Sequence, residues 1–350
     1  MATALLYGAY GYTGELTARF AKARGMRLVL SGRDPGRTAE VAQRWGMDHR
    51  VFGLDDPRAL DDGLRGVDVV LHCAGPFSRT SKPMVDACLR NRVHYLDITG
   101  EIDVFEACAA RDAEARAAGV MLLPGVGFDV VPSDCLAAHL KERLPDATHL
   151  ALAFFGLSSV SHGTATTMVE SLHQGGRVRR DGKIVSVPPG SLSRTVDFGY
   201  GRPRATMAIP WGDVSTAFHS TGIPNIEVYF PARRATRVGA RAIGLISPIV
   251  ASGPVQRLLK RAVDARPAGP TDEQRAKGSS FLWGEVRNER GDVRVSRLKT
   301  PEGYTLTADA SLTIVKRVLE GDRKVGYQTP ASVYGPELVM SLDGVSREDL

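Results

Sequence analysis

The sequence predicts an α/β protein with a doubly wound parallel sheet at its N-terminus and a second α+β domain on a mixed, mainly antiparallel sheet. Three observations predict it. Up to about residue 124, short apolar runs alternate with helix-period segments, the pattern of βαβ units whose strands are buried on both faces. Beyond that point several strand-like runs alternate apolar and polar residues, as half-exposed antiparallel strands do. At 350 residues with 43% hydrophobic and 24% charged residues, the chain is long enough for two cores and is not compositionally disordered.

In order, TALLYG reads as a strand, ELTARFAKARG as a helix, RLVLSG as a strand and RTAEVAQRWG as a helix. VDVVLHCAG, VHYLDI and VMLLPG are the next strands, separated by the helices KPMVDACLRN and VFEACAARDAEARAAG. VPSDCLAAHLKERL is a further helix, after which ALAFFGL, KIVSVP, NIEVYF, SFLWGEVRNE and DVRVSRLKT read as strands. RNERGDV forms a hairpin with Gly291 in its turn, and YTLTADASLTIVKRVLEG passes from strand to helix. The expected domains are 1–125, 126–325 and a segment 326–350 that returns to the first domain.

The stretch LLYGAYGYTGELTARF sets Gly8, Gly11 and Gly14 three apart, where the first strand ends and the first helix begins. At that place glycines permit a tight turn, close approach of backbone amides to a pyrophosphate and close helix–strand packing, while the helix N-terminus attracts the anion. Thr13 adds a hydroxyl. The reading is a dinucleotide site, although the spacing is GxxGxxG and not GxGxxG. At the end of the second strand, where the adenosine ribose is expected, RLVLSGRDP places Ser31 and Arg33. A guanidinium there suits a 2′-phosphate, so NADP is expected; Asp34 keeps NAD open. Two more strand ends face the same cleft. Ala74, Gly75 and Pro76 in HCAGPF let sugars pass over the backbone, and YLDITGE supplies Tyr95, Asp97, Thr99 and Glu101. Asp97 is read as a ligand or as a cap on the next helix.

The formal charge of +6 comes from scattered arginines without a basic run, which fits a small anionic ligand and gives no reason to expect nucleic acid. Cys73, Cys88, Cys108 and Cys135 form no CxxC pair, so no zinc site or disulfide framework is expected, and a reducing cytoplasm is the expected location. The start lacks a basic region followed by a long apolar one, which argues against a signal peptide. Residues 242–253, AIGLISPIVASG, are broken by Pro248 and too short to span a bilayer. With VQRLLKRAV behind them they read first as a core or homodimer helix, and alternatively as a membrane-surface patch or an acyl channel. No histidine or carboxylate spacing such as HExxH suggests a catalytic metal.

Taken together, GAYGYTG, SGR, CAGPF, Y-D-TGE and PGVGFDVVPSD, followed by GTATT, WGE and TPA, resemble the saccharopine dehydrogenase family, and within it the branch of trans-acting enoyl reductases. The resemblance spans nearly the whole chain. It implies a Rossmann domain, a second α+β domain, a returning C-terminal segment and a nicotinamide cofactor. It assigns the phosphate loop to Gly8, Tyr10, Gly11, Tyr12, Thr13 and Gly14, and the ribose phosphate to Ser31 and Arg33. It does not assign a substrate.

The short-chain dehydrogenase mechanism is not expected, because no tyrosine has lysine four residues on. A reductase must position an acceptor carbon, polarise the acceptor and deliver a proton. Asp129, in the segment of Gly125, Gly127, Phe128, Pro132 and Ser133, reads as a proton donor or as a helix-start residue. In SSVSHGTATTMVESLHQGG, His162, Thr164 and Thr166 read as donors to a substrate carbonyl, with His162 also able to supply the proton. The expected activity is reduction of a C=C bond in an acyl or polyketide-type substrate, free or carrier-bound. The alternatives are a saccharopine-type C=N reductase and a non-catalytic NADP-binding sensor.

Overall fold

The computed structural model describes residues 3–156, 175–245, 255 and 269–350. It divides the chain into two compact units, one of residues 1–131 and 304–333, the other of residues 132–303 and 334–350. The division falls six residues later than the composition shift suggested, because the loop after the last apolar strand still packs in the first unit. The C-terminal segment splits as well. Residues 326–333 belong to the first unit and the last 17 to the second.

The first unit is a sheet of seven parallel strands: β1 (Ala4–Tyr7), β2 (Val29–Gly32), β3 (His49–Val51), β4 (Val69–His72), β5 (His94–Asp97), β6 (Met121–Leu123) and β15 (Gly326–Tyr327). Their order is β15-β6-β5-β4-β1-β2-β3, so the topology reverses direction between β1 and β4. Ligands in open α/β sheets bind beyond the carboxyl ends of strands at such a switch. Leu5, Val70, Tyr95 and Leu122 are fully buried, which is why these runs are apolar throughout instead of alternating.

Helices α1 (Tyr12–Ala23), α2 (Pro35–Trp45), α3 (Pro57–Gly63), α4 (Phe77–Asn91), α5 (Ile102–Ala109) and α6 (Asp112–Ala118) connect these strands. The segment VFEACAARDAEARAAG, expected as one helix, is two, α5 and α6. The N-termini of α2 and α3 follow the same local rule. Asp34 accepts from the Arg37 amide at 2.9 Å and Asp56 from the Arg58 amide at 2.9 Å, each ahead of a proline in the first turn.

In the second unit α7 (Val131–Arg143) precedes β7 (His149–Gly156), β8 (Gly176–Arg180), β9 (Lys183–Val187), β10 (Ser193–Val196) and β11 (Arg204–Ala208). Then come α8 (Asp213–Thr221), β12 (Asn225–Pro231), α9 (Arg234–Leu245), α10 (Asp272–Lys277), β13 (Ser279–Arg287), β14 (Val293–Pro301) and β16 (Ser346–Asp349). The main path of the sheet is β10-β11-β12-β7-β13-β14-β16, and only β12 and β7 run parallel. The hairpin turn carries Gly291 at φ +89°, a left-handed conformation that glycine adopts without strain. β16 pairs with β14, which is why the chain's end belongs here and not with the first unit.

One face of this sheet lies under α7. A Cβ added at Gly284 would come 2.5 Å from Leu140 Cδ1, so the bare strand is what admits the helix. The other face gathers Phe155, Phe281, Trp283 and Tyr229. Residues 303–334 supply α11 (Gly303–Leu319), read from sequence as strand-to-helix and found to be one helix, and α12 (Pro330–Tyr334).

Candidate functional site

The glycine loop closes tightly over the end of β1. Gly8 has φ +86°, and a Cβ there would stand 2.9 Å from the backbone nitrogen and Cβ of Ala74, so glycine is required on both counts. Its amide and that of Ala9 donate to the Ser31 carbonyl at 2.8 and 3.0 Å, tying the loop to β2. The Gly8 carbonyl accepts from Gly11 at 3.0 Å. A Cβ on Gly14 would sit 2.2 Å from that same carbonyl oxygen, so Gly14 is the point where α1 presses on the strand end.

Gly11 is the cap residue of α1, and no side chain caps this helix. The first-turn amides of any α-helix have no intrahelical acceptor. At α2 and α3 they meet Asp34 and Asp56. At α4, Glu101 receives the Phe77 amide at 2.8 Å and the Ser78 amide at 2.9 Å, one on each oxygen. Carboxylates thus fill these neighbouring N-termini, whereas at α1 the acidic residue of the first turn, Glu15, is paired with Arg44 and no side chain caps the helix. That is the chemistry of a diphosphate cradle. A side-chain aromatic contact places Tyr12 edge-on to Tyr304 at 5.1 Å.

Beyond β2, the Tyr10 ring lies on Gly32, where a Cβ would be 2.4 Å from Tyr10 Cε1. The Arg37 guanidinium stacks over that ring, 4.4 Å from its centroid, and donates to the Tyr10 carbonyl at 3.4 Å. Arg33 is exposed beside it. Ser31 is fully buried with its hydroxyl unpartnered. Asp34 is engaged as the cap of α2. The structure therefore gathers Arg33, Arg37, Ser31 and Tyr10 at one strand end, a set that suits a phosphate better than a bare ribose diol. Sequence reasoning missed Arg37. Its signal was present as a second arginine one helical turn after Arg33.

Ala74, Gly75 and Pro76 form the loop after β4, with Gly75 exposed, and Pro76 is the cap of α4. Beneath them His72 is fully buried within ring contacts to Tyr7, Phe77 and Tyr95, and burial lowers its pKa to about 3, so it stays neutral. Asp97, at the end of β5, is fully buried. It accepts from Tyr95 Oη at 2.7 Å, and from the amides of Thr99 and Gly125 at 2.9 Å each. Thr99 is buried too, its hydroxyl accepting from the Glu101 amide at 3.0 Å. The pair braces the turn that carries Glu101.

Asp129 lies against that turn. Gly100 admits it, since a Cβ there would be 2.8 Å from Asp129 Oδ2. Burial, reinforced by the negative charge of Glu101, pushes the Asp129 pKa up to about 7. Asp97 is raised to about 6, mainly by burial and against the hydrogen bonds that favour its ionised form. Next to Asp129, the Phe128 amide donates to Thr307 Oγ1 at 3.0 Å, which fixes the loop to α11. His162 and Thr164, with Thr166 and residues 246–253, lie outside the described residues. All four cysteines are free thiols.

The second unit has its own cavity of about 310 Å³ above Ala151 of β7, walled by Glu227 and Glu285. Both carboxylates are engaged there: Glu227 by Arg180 and Tyr229, Glu285 by Arg194 at 2.8 Å.

Residues 4–123 match the saccharopine dehydrogenase NADP-binding domain. The trans-acting enoyl reductase of Mycobacterium ulcerans (strain Agy99) is 31% identical over 189 residues, covering 48% of this chain and 44% of that protein. The enzyme of that name from Mycobacterium leprae (strain TN) is 31% identical over 185 residues, with the same coverage. The chain's match thus spans less than half the length of these curated relatives. Over its whole length the fold is similar to that of apo saccharopine dehydrogenase (L-Glu forming) from Saccharomyces cerevisiae, with TM-score 0.69, 11% identity and full coverage of both chains. Residues 4–123, with their uncapped α1 and tight glycine loop, accordingly belong to the saccharopine dehydrogenase NADP-binding domain family.

Proposed function

We propose that the chain is an NADP-dependent reductase that saturates a C=C bond in an acyl or polyketide-type substrate. The observation that supports the cofactor is the contrast among helix N-termini. A carboxylate accepts the first-turn amides of α2, α3 and α4, whereas at α1 Glu15 is drawn to Arg44, no side chain caps the helix, and the glycines bring backbone closest. The enoyl chemistry rests on the relatives at 31% identity, which carry that activity in their names.

Bound NADPH supplies the hydride. The amides of Thr13 and Gly14 would hold its diphosphate, and the exposed Arg33 and Arg37 the 2′-phosphate, with Tyr10 stacked against Arg37 and the buried Ser31 beneath them. Asp97 and Thr99 act as positioning residues for the turn of Gly100 and Glu101, and do not touch the cofactor. Asp129 is the proton donor. Its carboxyl holds a proton up to about pH 7, and the turn at Gly100 fixes its place. Hydride addition to the β-carbon of an enoyl thioester and proton delivery to the α-carbon from Asp129 balance the reduction, leaving Asp129 ionised until water reprotonates it.

The test is stopped-flow oxidation of NADPH by the purified chain against a panel of enoyl thioesters and cyclic imines. Turnover of enoyl thioesters supports the proposal. Turnover of imines alone replaces it with the saccharopine-type reaction, and binding without oxidation by either class leaves a cofactor-binding protein with no reductase activity.

A further inference from the structure

Between Glu227 and Asp264 the chain has seven arginines and lysines and no acidic residue. Four of these cations, Arg233, Arg234, Arg237 and Arg241, lie in or beside α9. The helix begins after β12 and is exposed along most of its described length. Arg233, Arg234 and Arg241 are exposed, and their guanidinium groups meet no carboxylate among the described residues. Val238 sits among them with 59% of its surface open, an unusual place for a valine within a helix. Arg237 is half-buried, and its backbone carbonyl lies 2.8 Å from where a Cβ on Gly190 would be, which marks the side on which the helix rests on its own unit.

Spacings of four and three residues put the exposed Arg234, Val238 and Arg241 along one helical face. Such a face has no internal source of stability in water. Like charges at these spacings repel one another, and the valine gains nothing from solvent. A partner that supplies both dense negative charge and an apolar layer beneath it would relieve both costs. A nucleic acid offers only the first, and no aromatic side chain stands between the cations to stack on a base. An anionic bilayer surface offers both.

We propose that the Arg233–Arg241 face of α9 is a peripheral docking surface for an anionic lipid bilayer, with the three exposed arginines at the headgroups and Val238 at the acyl boundary. The proposal does not rest on the reductase reading and survives its failure. The helix places the protein on a membrane without spanning it. In the described residues no helix is long and apolar enough to cross one.

The experiment is co-sedimentation of the full chain with phosphatidylcholine vesicles, with and without phosphatidylglycerol, at low and high salt. The expected result is binding that needs the anionic lipid and is lost at high salt. The triple variant R233E/R234E/R241E should bind at least about a hundredfold more weakly, since it loses the contribution of three basic side chains at such a surface and adds three repelled charges. V238S should weaken binding by a smaller factor that salt does not change. Circular dichroism and an unchanged urea-unfolding midpoint confirm that each variant is folded. The proposal is overturned by equal binding to neutral vesicles, by no binding to either, by a triple variant that binds as the wild type does, or by an RNA duplex that competes all the protein off the vesicles.

Discussion

Replacing Gly14 with alanine tests the cradle at its tightest point. The new Cβ would lie 2.2 Å from the Gly8 carbonyl oxygen, where ordinary contact begins at 3.4 Å, so α1 and β1 must part by about 1.2 Å. Gly8 cannot yield easily. Its φ of +86°, its amide bond to Ser31 at 2.8 Å and its carbonyl bond from Gly11 at 3.0 Å hold it in place. Overpacking of this kind costs about 1–3 kcal/mol, and the better helix propensity of alanine returns up to about 1 kcal/mol. A net loss of up to about 2 kcal/mol is therefore expected in urea unfolding once that return is subtracted. The same displacement carries the first-turn amides out of hydrogen-bond range of a bound diphosphate. Losing one charge-assisted bond costs about 1.5–3 kcal/mol, or roughly ten- to a hundredfold in NADPH affinity. Gly36→Ala is the control, because its Cβ meets nothing closer than Asp34 Oδ1 at 3.6 Å. Fluorescence titration of NADPH into both variants decides the matter. Unchanged affinity in Gly14→Ala, beside an unchanged control, would refute the argument that close backbone approach builds the site.

Arg37→Ala should weaken NADPH binding by about ten- to a hundredfold and leave NADH binding unaltered, since the guanidinium is assigned to the 2′-phosphate; equal losses for both cofactors would remove that assignment. In the pH profile of enoyl reduction, activity should be full while Asp129 is protonated and fall about tenfold per unit as pH rises through about 7. Asp129→Asn should lower kcat by about a hundredfold or more and abolish that limb, and a variant that keeps the wild-type profile places the proton donor elsewhere. Asp97→Ala leaves Tyr95 Oη and the amides of Thr99 and Gly125 without their acceptor, and about 3 kcal/mol or more should be lost in urea unfolding. For Asp97 itself the folded pKa of about 6 exceeds the ordinary 3.8, so the fold retains a proton that the unfolded chain releases between those values. The stability difference between wild type and Asp97→Asn should therefore shrink as pH rises from about 4 to about 6 and level off above.

The parallel sheet was legible because its strands are buried on both faces and so appear as unbroken apolar runs. The same criterion hides β3, whose HRV is exposed at the sheet edge, and β15, only two residues long. In the second unit α8 escaped notice: DVSTAFHST buries Val214 and Ala217 among small polar residues that carry little periodicity. Among site residues, Gly8 and Gly14 were readable from spacing because sterics at a strand-to-helix turn are local. Arg37 and Glu101 were not assigned roles, because each acts on a partner distant in sequence: Arg37 on Tyr10, and Glu101 on the α4 amides 23 and 24 residues before it. Asp97 was open between ligand and cap. Two of its three donors, Tyr95 Oη and the Thr99 amide, are local, but the third, the Gly125 amide, is reached only by folding β5 against β6 and the loop beyond, which is tertiary information.

The most direct measurement is isothermal titration calorimetry of the purified chain with NADPH and with NADH. Uncapped amides at α1 together with Arg33 and Arg37 predict a single exothermic site for NADPH, with NADH at least tenfold weaker. Absence of heat for both coenzymes would contradict the assignment of this helix N-terminus to a diphosphate.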